Sequence, residues 1–317
     1  MNFRLNGKTF NFFRKMNWID YRNPLAALKA SQYLKSDKLR ELQWQRLKKL
    51  ILFAYKEVPY YHNLFKKIGL KPEDINNYEY FSKIPVLTKQ MVRDNFKDLH
   101  CLNYSAKKYF RSITSGSTGK PLTIDIEKDA LNYYYASQYR WFSWHGIFPG
   151  DSGVKIWGIP IGLFERVVER LKDLAMNRIR FSAFKLSEKQ VDDYYSKIKK
   201  FKPKYIYGYT SALFHFASSI EKKSLGMTKY RPKAVFSTSE ILYPHQKELI
   251  SSVFNCPVVN EYGCSEFGIV AFKCLKHNLH ITSENIYTEI INADLEGIGQ
   301  LIVTGLRNYV MPLENCA

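Results

Sequence analysis

Leu39 and Leu42, then Trp44, Leu47, Ile51 and Ala54, recur at spacings of three and four, with Arg40, Glu41, Gln43, Arg46, Lys48 and Lys49 between them. That is the period of a helix with one apolar stripe. Val58-Pro59 should end it, because the residue before a proline avoids the helical region. A second helix over Tyr61–Ile68 is expected to stop at Gly69, and residues 71–98 read as short helices joined by turns, one broken at Pro85. From Tyr109 the period shortens. Tyr109–Ile113 and Leu122–Ile126 are β-prone runs, followed by a helix from about Lys128 to Trp144 and a strand over Val154–Trp157. Residues 163–175 place Leu163, Phe164, Val167, Val168, Leu171, Leu174 and Ala175 on one helical face.

The stretch 187–260 is the most regular. Ser187 and Gln190 form a capping-box pattern ahead of a helix with Val191, Tyr194, Tyr195 and Ile198 inward. Then come strand Tyr205–Tyr207, a helix over about Ser211–Glu221, strand Ala234–Phe236, a helix from Pro244 to Val253, and strand Val258–Asn260. Alternation at this spacing means a mainly parallel sheet with right-handed crossovers. Such sheets bind ligands beyond the carboxyl ends of their strands, which here are Gly208-Tyr209, Ser237-Thr238-Ser239-Glu240 and Glu261-Tyr262-Gly263. From His280 to Leu306 the chain is β-rich, with strands expected at Ile281, Ile286–Ile290 and Leu301–Thr304 and a turn at Gly297-Ile298-Gly299.

With 317 residues and a hydrophobic fraction of 45%, the chain can fill a sizeable core, which excludes a disordered tail or a disulfide-stapled module. We expect a helical region over 1–108 packed on an α/β core over 109–317. No run reaches the roughly 18 uncharged apolar residues of a membrane span. The first residues do not read as a signal peptide, and five scattered cysteines fit a reduced, cytoplasmic protein. The net charge of +19 is uneven: residues 1–120 hold 24 Lys/Arg against 9 Asp/Glu, and the rest 24 against 20. A basic nucleic-acid-binding role is one reading of that asymmetry. No zinc-finger or RNA-binding signature accompanies it, and attraction of an anionic substrate, or simple solubility, is the preferred account.

Three groups of residues could carry chemistry. Thr114-Ser115-Gly116-Ser117-Thr118-Gly119-Lys120-Pro121 has glycines that let backbone N–H groups converge on phosphate oxygens, hydroxyls as further donors, and a lysine charge. It is not a Walker A loop: two residues separate its glycines, Pro121 follows the lysine, and the flanks predict strand–loop–strand. A flexible hairpin turn is the alternative. Glu261-Tyr262-Gly263-Cys264-Ser265-Glu266 follows a strand of the parallel sheet, where an aromatic can stack on a base and a carboxylate can hold Mg²⁺ against phosphates. Cys264, Cys274, His277 and His280 are potential soft ligands, but their spacing fits no standard zinc pattern.

Together these motifs resemble the adenylate-forming (AMP-binding) enzyme superfamily, in its phenylacetate–CoA ligase and capsular-polysaccharide-biosynthesis branch. The 114–121 segment resembles its phosphate loop and the 261–266 segment its tyrosine–glycine–x–serine–glutamate motif. Gly299-Gln300-Leu301-Ile302-Val303-Thr304-Gly305-Leu306 resembles the strand that follows, and Val58-Pro59-Tyr60-Tyr61 and Lys83-Ile84-Pro85-Val86-Leu87-Thr88-Lys89 resemble the branch's amino-terminal region. The resemblance implies the large N-terminal domain of that fold, α/β with mainly parallel sheets flanked by helices. It also implies an ATP-dependent reaction in which a carboxylate is adenylated and then transferred to a thiol, usually coenzyme A. ATP, a small carboxylic acid, Mg²⁺ and coenzyme A are the implied ligands. Ser115, Gly116, Ser117, Thr118, Gly119 and Lys120 would hold phosphates, and Glu240, Glu261, Tyr262 and Gly263 the adenine. Glu266 would hold Mg²⁺, with Lys120 and Glu266 as catalytic groups, and His280 matches a histidine that often follows the glutamate motif.

The pattern also departs from the family. Met311-Pro312-Leu313 is followed by Glu314-Asn315-Cys316-Ala317, where relatives carry an aspartate for the ribose hydroxyls and then a small domain with a catalytic lysine. The expectation is a shortened ligase whose C-terminal domain is missing or supplied by a partner chain. A non-catalytic nucleotide-binding or scaffold protein of the same fold is the alternative.

Overall fold

The structure is a computed structural model that describes residues 20–103, 109–114, 120–159, 162–184, 186–225, 230–313 and 316. Chain order begins with helices α1 (Arg22–Ser31), α2 (Ser36–Glu57), α3 (Pro59–Ile68), α4 (Tyr78–Phe81) and α5 (Lys89–Asp94). α2 buries Leu47, Ile51 and Ala54 of the predicted stripe together with Leu50, while Leu39, Leu42 and Trp44 are only partly buried. It ends at Val58, whose extended backbone suits the following proline. Pro59 then opens α3, which Gly69 closes in the left-handed conformation at φ 66°. Asn77 and Thr88 accept backbone N–H groups of Tyr80 and Met91 to cap α4 and α5.

An antiparallel hairpin follows, β1 (Tyr109–Thr114) with β2 (Leu122–Glu127), and then α6 (Lys128–Trp144). β3 (Gly153–Trp157), α7 (Leu163–Ala175), β4 (Arg178–Ser182), α8 (Glu188–Phe201), β5 (Tyr205–Tyr209), α9 (Thr210–Lys222), β6 (Ala234–Thr238), α10 (Pro244–Phe254) and β7 (Val258–Cys264) come next. β8 (Gly268–Lys273), β9 (Leu279–Ile281) and the antiparallel pair β10 (Ile286–Ile291) and β11 (Gln300–Gly305) complete the described elements. Strands β3 to β9 form one sheet in the order β4-β3-β5-β6-β7-β8-β9. The β3–β4, β3–β5, β5–β6 and β6–β7 pairs are parallel.

This α/β architecture has the predicted strand–helix alternation, with corrections. β7 does not stop at Asn260 but runs through Glu261, Tyr262 and Gly263 to Cys264, so those residues belong to a strand. β4 and β8 are strands that periodicity did not single out.

The chain divides into two compact units. One comprises residues 1–20, 138–263 and 271–280, the other residues 21–137, 264–270 and 281–317. Each has its own apolar core. In the sheet unit Val154, Ile156, Ile206 and Val235 pack with Phe216 of α9 and Phe254 of α10. In the other, Leu47, Phe65 and Phe81 pack with Ile124, Phe267, Val303 and Met311. Each fully buried Leu or Phe contributes on the order of 2 kcal/mol.

α7 reverses the usual arrangement. Two of its three acids are tied to the sheet's edge strand: Asp173 accepts from Arg178 Nε at 2.5 Å and Arg180 Nε at 2.7 Å, and Glu169 pairs with Arg180 as well as with Lys172 of the helix itself. Its apolar face points outward, with Leu163 79% and Phe164 77% exposed. Among the described residues no helix is long and apolar enough to cross a membrane.

Candidate functional site

In the sheet unit the strand ends converge on two carboxylates. Ser239, at a left-handed φ of 68°, turns the chain sharply after β6. Glu240 then reaches the start of α9, where its Oε2 accepts from the Ser211 backbone N–H at 2.6 Å and its Oε1 from Ser211 Oγ at 2.9 Å. A carboxylate there satisfies orphan N–H groups and meets the positive end of the helix dipole. Both oxygens of Glu240 thus already serve a cap.

Glu261 is only 5% exposed. Tyr207 Oη donates to its Oε1 at 2.9 Å and Thr238 Oγ1 at 3.0 Å, while Oε2 is buried with no hydrogen-bond partner among the described residues. Burial pushes the carboxyl up to about 7, against the opposing pull of those two hydroxyls and the charge of Lys155. Burial and the neighbouring Glu261 likewise raise Tyr207 well above the usual tyrosine range. Lys155, facing Tyr207 in register, lies 4.1 Å from the Trp157 ring centroid and 5.5 Å from that of Tyr207. Enclosure, and then the charges of Arg178 and Arg180, hold it well below the usual lysine range. Strand alternation turns Tyr262 to the opposite face from Glu261, with its ring half-exposed, and Gly263 follows.

The other unit carries the remaining predicted residues. The β1–β2 register runs from Tyr109 opposite Glu127 to Thr114 opposite Leu122, so the glycine-rich segment joins two strands as its flanks predict. Ser115, Gly116, Ser117, Thr118 and Gly119 lie outside the described residues. Lys120 is exposed, and its carbonyl accepts from Arg93 Nη2 at 3.1 Å.

A group that sequence reasoning missed braces the hairpin beneath. Arg111 makes a bidentate pair with fully buried Asp125 (2.9 and 2.8 Å), and His100 Nε2 meets the same carboxylate at 2.8 Å. Burial by itself would raise Asp125, but the hydrogen bonds and charges of Arg111 and His100 outweigh it and hold the group below the ordinary aspartate value. Apart from the hairpin itself, which sets Arg111 opposite Asp125, the sequence carries no signal for this brace.

Glu266 is half-buried, and its carbonyl accepts from Tyr134 Oη at 2.8 Å. It borders a cleft of about 10 Å³, room for one water, together with Asn285, Arg307 and Asn308. Just beyond, Gly268 takes φ +71°, and a Cβ there would sit 2.7 Å from the Tyr134 ring, so only glycine fits this turn into β8. Among the described residues no group of three or more His, Cys, Asp and Glu side chains is arranged to hold a metal. Cys264 and Cys274 are free thiols.

Comparison with solved structures decides the fold. A 2-hydroxyisobutyryl-CoA ligase in the postadenylation state superposes with a TM-score of 0.71 at 18% identity, over 90% of this chain and 62% of that one. The chain has the adenylate-forming ligase fold. It aligns with that enzyme's open conformation at a TM-score of 0.68 over 86% of this chain. Among curated proteins it is 27% identical over 280 residues to Protein CapK of Staphylococcus aureus, covering 87% of this chain and 61% of the relative. It is 25% identical over 294 residues to the phenylacetate-coenzyme A ligase of Thermus thermophilus, covering 88% and 64%. The chain therefore spans less than two thirds of the length of these relatives. No family model matches it.

Proposed function

We propose that the chain is the nucleotide- and acid-binding part of an ATP-dependent carboxylate-adenylating protein of acyl-CoA ligase type, linked to surface-polysaccharide biosynthesis. The observation that carries this reading is the adenylate-forming ligase fold with both resembling motifs on it, the glycine-rich segment spanning a braced hairpin and Glu266 just past β7. In such a reaction a carboxylate oxygen bonds to the α-phosphorus of ATP and the bond to pyrophosphate breaks. A thiol then attacks the acyl carbon of the acyl-adenylate, and AMP leaves.

On this reading the amides and hydroxyls of residues 115–119 and the Lys120 charge meet phosphoryl oxygens, and the half-exposed Tyr262 stacks on adenine. The donor set fits Mg²⁺, which is usually held by one or two carboxylates together with substrate phosphates, and Glu266 would supply that carboxylate. When bound, the ion would neutralise charge on the departing pyrophosphate. The polysaccharide link rests on the resemblance to that branch.

Because the chain spans less than two thirds of its relatives, binding is the direct test. Calorimetric titration should show saturable binding of MgATP that weakens when Mg²⁺ is omitted, and Glu266→Gln should lower the MgATP affinity about tenfold. An unchanged affinity in that variant removes Glu266 from the site. No binding at millimolar MgATP by the folded chain overturns the whole reading.

A further inference from the structure

The helical region carries a cleft that the chemistry above does not use. Lys48, Ile51 and Leu52 stand at i, i+3 and i+4 on α2 and so share one face of that helix. The short 3-10 turn Pro72–Asp74 packs against α2, and Ile75 joins Ile51 in the same core. Among the described residues these two segments leave a cleft of about 290 Å³, lined by Lys48, Ile51, Leu52, Pro72, Glu73 and Ile75. Small-molecule sites run from roughly 300 to 1,000 Å³, so this one suits a small metabolite and is tight for a nucleotide. It shares no described residue with the glycine-rich segment or the 261–266 motif.

Its lining is apolar except for two charges. Ile51, Pro72 and Ile75 are buried and make the floor, with Leu52 part-exposed beside them. Lys48 and Glu73 are exposed, which puts them where the cleft meets solvent. Among the described residues neither forms an ion pair, with the other or with any third group. Two opposite charges thus border one space without meeting.

That combination selects a ligand. A plain alkyl group would cover the floor and leave both charges to water. A fatty anion would suit Lys48 but bring a second carboxylate to Glu73, and an alkylammonium would suit Glu73 but face Lys48. A zwitterion with an apolar body answers all three features. Its carboxylate accepts from the Lys48 ammonium, its own ammonium donates to Glu73, and its side chain lies on Ile51 and Ile75.

We propose that this cleft is a binding site for a free apolar α-amino acid of about leucine size. It lies outside the adenylating reading and stands or falls without it.

The test is a titration of the 317-residue chain, without nucleotide, followed by ligand-observed NMR. The ligands are L-leucine and two analogues that each lack one charge, 4-methylpentanoate and 3-methylbutylamine. Leucine should bind saturably in the millimolar range and about fivefold more tightly than either analogue, the worth of one exposed ion pair at the top of its range. Glu73→Gln should abolish the advantage of leucine over 4-methylpentanoate, and Lys48→Met its advantage over 3-methylbutylamine. Both side chains are exposed, so the variants should fold, and melting curves check it. Absence of saturable leucine binding, or an affinity no greater than that of the analogues, overturns the site. So does either advantage surviving its substitution, which would place leucine elsewhere on the chain.

Discussion

A carboxyl group shut away from water holds its proton more tightly, and Glu261 shows what that costs. Its ordinary value is 4.5 and burial lifts it to about 7, so the protonated form is the one the fold prefers. The stability it lends is complete below about pH 4.5 and is lost as the pH rises through 7, a span worth about 3 kcal/mol. Glu261→Gln removes the titration. Urea unfolding at pH 5 and pH 7.5 should show wild type losing ground to the variant at the higher pH. Glu240 belongs to the same scale: Glu240→Ala removes the α9 cap and should cost about 1 kcal/mol with no nucleotide present, measured by urea unfolding. Sequence reading brought both residues to the sheet's ligand edge. Their partners were hidden, because Glu261 meets side chains 54 and 23 residues away and Glu240 meets one 29 residues away.

The elements were legible wherever period and punctuation agreed. α2 ends before Pro59, α3 ends at Gly69 and α8 begins after the Ser187 capping box, as these signals place them, while α3 begins at Pro59, two residues before the expected Tyr61. β4 escaped because its alternation is Arg178-Ile179-Arg180-Phe181, with arginines on the face that holds Asp173. β8 escaped because Ile269-Val270-Ala271-Phe272 is apolar without alternation, the mark of a strand buried on both sides. The β1–β2 hairpin was predicted, but its brace was not. Asp125→Asn leaves Arg111 and His100 facing a neutral amide and should destabilise the protein by about 3 kcal/mol, read from urea unfolding at pH 7. The wild-type advantage is present above the ordinary aspartate value and should fade as the pH falls through the lower value that Asp125 has in the folded chain.

At the scale of the whole molecule, α7 marks the limit of pattern reading. The sequence shows an amphipathic helix, and periodicity cannot say which face turns inward. Here the arginines of β4 decide it, because they draw Glu169 and Asp173 to the sheet edge and leave Leu163, Phe164, Val167 and Leu174 outside. The double variant Phe164→Glu, Val167→Glu should therefore change unfolding free energy by less than about 0.5 kcal/mol, as expected for largely exposed side chains. A loss of several kcal/mol in urea unfolding would show the face to be part of a core.

That outward face sits on a molecule of net charge +19, and the two together govern how molecules behave towards one another in bulk. In dilute buffer like-charge repulsion keeps them apart. Salt shortens the reach of that repulsion to about 8 Å at 0.15 M, while sulfate strengthens the pull between apolar surfaces. Light scattering should then report a second virial coefficient that turns negative as ammonium sulfate rises, and that stays positive to higher salt once α7 carries the two glutamates.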